Sequence, residues 1–165
     1  MSGTNGGAYK ERYETEHDLE MEREICKEIC LTEWGCGFQP IKLTRESGNE
    51  GRYHADYYVQ KAGNEYHGTG YGHCWLEIKD REDFVPKGYD SVLLDLYKWR
   101  AMCSLAQYSG LPAYFCPRLS GVVHRLACEP GLRFKMKWMG RIDRSDPADK
   151  HPVLLLPLEA FEEVV

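Results

Sequence analysis

The residues best suited to chemistry lie in one short run, Cys74-Trp75-Leu76-Glu77-Ile78-Lys79. Side chains alternate across a strand, so Leu76 and Ile78 point to a core while Glu77 and Lys79 point together to the other face, about 7 Å apart. A carboxylate beside an ammonium on a rigid element suits hydrolysis of a charged ester. The carboxylate can ligate a divalent ion, and the ammonium can orient an attacking water and offset charge on phosphoryl oxygens. Asp56, in Tyr53-His54-Ala55-Asp56-Tyr57-Tyr58, lies on the preceding strand pattern. If that strand pairs near 74–79, Asp56 supplies a second oxygen ligand for Mg2+ or Mn2+. Glu77-Ile78-Lys79 is the only acidic-x-lysine tripeptide in the chain. Its plain alternative is a surface ion pair on an edge strand.

The elements that must position these residues follow from periodicity and punctuation. Residues 1–10 read as a flexible, Gly-rich tail and 11–165 as one domain. A helix is expected over 15–34, with Met21, Ile25 and Ile29 at four-residue spacing and Gly35 and Gly37 as stops. Gln39 to Thr44 reads as a short strand, 52–60 as another, and 73–79 as a third after a Gly-rich return. A long helix capped by Asp90 or Ser91 is expected to run to about Ser109, closed by Gly110. Strands then follow at 113–119 and 122–128, joined by a Ser120-Gly121 turn. At 133–139, Phe134, Met136 and Trp138 alternate with Arg133, Lys135 and Lys137. A polar acidic loop (140–150), a strand at 153–156 and one or two helical turns in 158–165 complete the chain. This order predicts an α/β sandwich around a mixed sheet.

The arrangement resembles the PD-(D/E)xK nuclease superfamily, which includes Holliday-junction resolvases and many phage endonucleases. The resemblance covers roughly 15–119 and rests on Ala55-Asp56 followed by Glu77-Ile78-Lys79. It departs from the motif in Ala55, which stands where the motif has proline, and in the long spacing from Asp56 to Glu77. The stretch from Gly140 through His151-Pro152 to the last apolar strand looks like small phage nuclease-like proteins. The resemblance implies a restriction-endonuclease-like fold, an α-β-β-β-α-β core with extra C-terminal strands. It also implies Mg2+ (or Mn2+)-dependent hydrolysis of DNA in preference to RNA, as an endonuclease, with Asp56, Glu77 and Lys79 catalytic. Junction cleavage would further require a homodimer. The rival reading is a catalytically silent module that keeps the fold and binds DNA or a protein partner.

Other charged positions bear on this reading. Glu22 sits on the apolar stripe with Ile25, Cys26 and Ile29, where an unpaired carboxylate is costly. The resemblance expects an active-site Glu on this helix, so Glu22 is the third metal and catalytic candidate; a partly exposed Glu near the helix start is the alternative. Lys98 shares a stripe with Leu94, Ala101, Leu105 and Tyr108. It is either a snorkelling lysine or a phosphate contact beside the metal. Arg133, Lys135 and Lys137 suit a DNA backbone or a solvated sheet face.

Composition narrows the classes. A net charge of −5, from 21 basic against 26 acidic residues, argues against coating nucleic acid by bulk charge. Seven cysteines without a CxxC pair read as reduced thiols. Cys26 and Cys30 sit on a helix face, unlike the paired loop ligands of structural zinc. No apolar run approaches the ~18 residues of a membrane span. A cytoplasmic location is therefore expected, that of the host if the gene is a phage's.

Overall fold

The computed structural model of the protein describes residues 15–43, 55–61, 71–81, 90–139 and 150–164. Helix α1 (Glu16–Glu33) opens on a capping box: the Thr15 hydroxyl accepts from the Asp18 amide, and Asp18 accepts from the Thr15 amide. Five strands, β1 (Phe38–Lys42), β2 (Tyr57–Lys61), β3 (Tyr71–Arg81), β5 (Ala113–Leu119) and β6 (Val122–Ala127), then form the main sheet in that order. A two-residue strand, β9 (Glu162–Glu163), completes its far edge. β3 runs antiparallel to β2 and parallel to β5. A parallel pair needs a crossover, and here it carries β4 (Ser91–Asp95) and α2 (Leu96–Ser109). The β5–β6 hairpin turns through Ser120 and Gly121, both at positive φ, as the dipeptide predicts. Among the described residues no helix is long and apolar enough to cross a membrane.

The alternation of β3 separates two cores. Leu76 and Ile78, with Cys116 of β5, pack under Ile25, Cys26 and Ile29 of α1. Phe115, the register partner of Glu77, lies on the opposite face with Trp99 and Met102 of α2. All seven cysteines are free, and all but Cys36 are buried.

Several expectations need correction. The helix expected from Asp90 or Ser91 starts instead at Leu96, because 91–95 is strand. Val92 and Leu94 alternate into the core and pair with Leu156 and Leu154 of β8 (His151–Pro157). The expected single sheet is therefore two: β4, β8 and β7 (Lys135–Met139) form a separate three-stranded sheet. Phe134 packs edge-on against Trp99 at 5.3 Å. Met136 and Trp138 are 52% and 67% exposed, because β7 is the outer strand of this sheet. The strand expected at 52–60 is β2, beginning at Tyr57, so Asp56 stands at its entrance. The C-terminal turns are a 3-10 turn at Leu158–Ala160 ahead of β9. The tail 1–10, the 62–70 return and most of the 140–150 loop lie outside the described residues.

The Asp95 side chain caps α2, accepting from the Tyr97 and Lys98 amides at 2.7 and 3.4 Å. Asp95→Ala should therefore cost about 1 kcal/mol in urea denaturation, while Asp95→Asn, which keeps the acceptor, should retain most of it. An unchanged midpoint in Asp95→Ala would show that the cap does not hold the helix.

Candidate active site

Glu77 lies on an interior strand and is 0% exposed, so a surface ion pair does not describe it. A buried carboxylate costs several kcal/mol unless paired. Its partner is Lys98, in the first turn of α2, whose ammonium contacts Glu77 Oε1 and lies 3.9 Å from Asp56 Oδ1. The other oxygen, Glu77 Oε2, has no hydrogen-bond partner among the described residues.

Backbone geometry fixes Asp56. The register Tyr57↔Leu76, extended by one step, puts Asp56 across from Glu77. The Asp56 amide donates to the Leu76 carbonyl, and the Ile78 amide donates to Asp56 Oδ2, both at 2.9 Å. Lys79, two residues beyond Glu77 and on its face, is half-buried in a cleft that Lys98 also lines. The structure thus brings together Asp56, Glu77, Lys79 and Lys98.

Glu22 reaches this group through Lys42. It is buried on the α1 side, where Lys42 donates to it at 2.7 Å. Lys42 is the register partner of Tyr57, lies over that ring at 4.7 Å, and reaches Asp56 Oδ1 at 4.0 Å. Asp56, at the strand entrance, therefore joins two ion pairs on opposite faces of the sheet. Sequence reasoning missed Lys42. The available signal was the two-residue period of β1, which puts Lys42 on the half-buried side with Phe38 and Pro40 and leaves Ile41 outside. Arg133, Lys135 and Lys137 are exposed on and before β7, outside the carboxylate cluster.

The electrostatics follow from this crowding. Burial, then the neighbouring Asp56, pushes the Glu77 carboxyl up to about 8, with Lys98 only partly opposing. Burial also pushes Asp56 up, but Lys98, then the adjoining Glu77 carboxyl, Lys42 and the Ile78 amide outweigh it, and its pKa falls below the ordinary value. Two carboxylates in one site have thus been driven apart. Burial pushes Lys98 down, but Glu77 and Asp56 overcome it, so the ammonium stays charged. Burial raises Glu22, with Lys42 opposing.

The family resemblance implies a divalent metal, and the donor set can be tested against one. No group of three metal-ligating side chains converges among the described residues. Mg2+ needs few, since it keeps several waters and takes one or two carboxylates plus phosphate oxygens. Asp56 and Glu77, hard oxygen donors beside the same ammonium, one with an unpartnered oxygen, fit that requirement.

A buried carboxyl with a raised pKa keeps its proton in the folded state after the unfolded chain has lost it. Its favourable contribution is complete below the ordinary value of 4.5 and is lost as pH rises through about 8. In EDTA, the wild type should therefore lose stability relative to Glu77→Gln across that window in urea titrations. A difference between the two proteins that stays constant with pH would contradict the raised value.

Residues 8–164 match the family model described as "Phage putative PDDEXK endonuclease". Among solved structures, the chain is similar to Hjc of Archaeoglobus fulgidus, a Holliday junction resolvase. Identity to it is 15%, over 85% of this chain and 95% of that one, with a TM-score of 0.43. No curated protein matches the chain significantly. The family match spans nearly the whole sequence: the chain belongs to the phage PDDEXK endonuclease family.

Proposed function

We propose that this protein is a divalent-metal-dependent endonuclease that hydrolyses phosphodiester bonds in DNA. The observation that carries the reading is the convergence of the Asp56 and Glu77 carboxylates on the Lys98 ammonium, with Lys79 next along the same face of β3. Asp56 and Glu77 would hold Mg2+ or Mn2+, which when bound would polarise the phosphoryl group and offset charge growing on it. Glu77 must give up its proton to serve as a ligand, and Lys98 supplies the countercharge that keeps the emptied carboxylate tolerable. Lys79 orients the water and stabilises developing negative charge on the phosphoryl oxygens. The water oxygen bonds to phosphorus and gives one proton to solvent, one P–O ester bond breaks, and the leaving alkoxide takes a proton from solvent.

Glu22 acts at one remove in this scheme. Paired with Lys42, it fixes the ammonium that lies against Asp56, and so steadies the carboxylate that must face the metal. Exposed Lys135 and Lys137 on β7, with Arg133 before it, would contact the DNA backbone away from the reacting bond.

Lys79→Ala should slow nicking of supercoiled DNA by ~10²–10³ under single-turnover conditions with Mg2+ or Mn2+, with the melting temperature unchanged. Binding should survive, because phosphate affinity is spread over many contacts. Equal nicking rates would remove Lys79 from the mechanism. If the wild type cleaves no DNA with either metal, the chain is instead a silent member of its family.

A further inference from the structure

A cleft of about 430 Å3 opens between β3 and the three-stranded sheet, beside the carboxylate cluster. Lys79 and Arg81 line it from β3, Lys98 from α2, and Asp95 and His151 from the opposite wall. His151 begins β8, and its Nε2 lies 3.5 Å from Asp95 Oδ2. The other Asp95 oxygen is taken by the amides that start α2. The one acid in the lining therefore has both oxygens engaged, and besides Lys98, which pairs with Glu77, the cations Lys79 and Arg81 line the opening.

The register of the small sheet extends this lining. Met139 pairs with His151 and Lys137 with Val153, and directly opposed residues share a sheet face. Met139, His151 and Val153 all line the cleft, so Lys137 lies on the same sheet face.

We propose that this cleft is a subsite for the DNA backbone, holding the phosphate beside the one that reacts, with Arg81 and His151 as its contacts. This rests on the nuclease reading and deepens it. Asp95 is the positioning residue: it ties the imidazole to the end of β4, so that one side chain both starts α2 and orients a substrate contact on the neighbouring strand. The three-stranded sheet thereby becomes one wall of the substrate channel, and its inner face reads the sugar-phosphate chain without reading sequence.

The test is fluorescence anisotropy with a labelled duplex, Ca2+ replacing Mg2+, across a range of NaCl concentrations. Arg81→Ala should raise Kd roughly three- to ten-fold and reduce the slope of log Kd against log[NaCl] by about 1. His151→Ala should also weaken binding. Asp95→Asn keeps the helix cap but should weaken binding in the wild-type background and not in His151→Ala, a coupling that a purely structural role would not produce. Arg100→Ala is the control. Its side chain projects some 200° around α2 from Lys98, so its removal should leave Kd and slope unchanged.

Cleavage of the same duplex by the wild type with Mg2+ separates the two readings. Wild-type affinity and slope in Arg81→Ala and His151→Ala, with a wild type that cleaves, overturns the subsite alone. Weakened binding in variants of a protein that never cleaves keeps the subsite and overturns the nuclease reading. No wild-type binding at all overturns both.

Discussion

A carboxylate sealed beneath a sheet is the constraint around which this molecule is arranged. Glu77 stands on an interior strand of the main sheet and is fully buried. Left alone it would destabilise the fold by several kcal/mol. The ammonium that makes it tolerable must come from outside the sheet, on the face that β3 does not share with α1. The crossover between β3 and β5 passes there, and Lys98 stands in its helix. The parallel pairing, the crossover helix and the charge pair are thus one structural decision.

From that pairing the rest of the polar architecture extends outward. Asp56 is drawn to the same ammonium and pinned by the Ile78 amide, so the start of β2 is fixed by chemistry as well as by sheet register. Asp56 in turn meets Lys42, and Lys42 meets Glu22, which carries the network through the end of the sheet to α1. Elsewhere, charge pairs tie strands and ends together. Arg118 forks onto Asp80 across β5 and β3, and Arg125 links Glu33 at the end of α1 to Glu162 of β9.

Much of the centre was legible because strand periodicity is local. Glu77 and Lys79 share a face for the same reason that Leu76 and Ile78 share the other. Lys98 was singled out on a helix stripe that the structure redraws: Leu94 is in β4, Tyr108 is exposed, and the buried face of α2 is Trp99, Met102 and Cys103. The boundary at 95 was not legible, since Ser91-Val92-Leu93-Leu94 suits a helix as well as a strand. What decides it is pairing with β8, far away in sequence. The same long-range pairing creates the second sheet and carries β7 beyond the core, which no local pattern announces. Glu22 was singled out correctly as a buried carboxylate, but the partner that engages it, Lys42, comes from a strand whose sequence shows only a lysine on the inner period.

The most direct test of a metal site at Asp56 and Glu77 is calorimetric titration of Mn2+ into the protein at pH 7, repeated in two buffers of different ionisation enthalpy. Wild-type protein should bind the ion and release protons, because Glu77 holds its carboxyl proton up to about 8 and must lose it to become a ligand. Asp56→Asn should bind far more weakly, and Glu77→Gln should lose both affinity and proton release. Binding of equal strength and equal proton stoichiometry in wild type and Glu77→Gln would contradict the assignment at its centre.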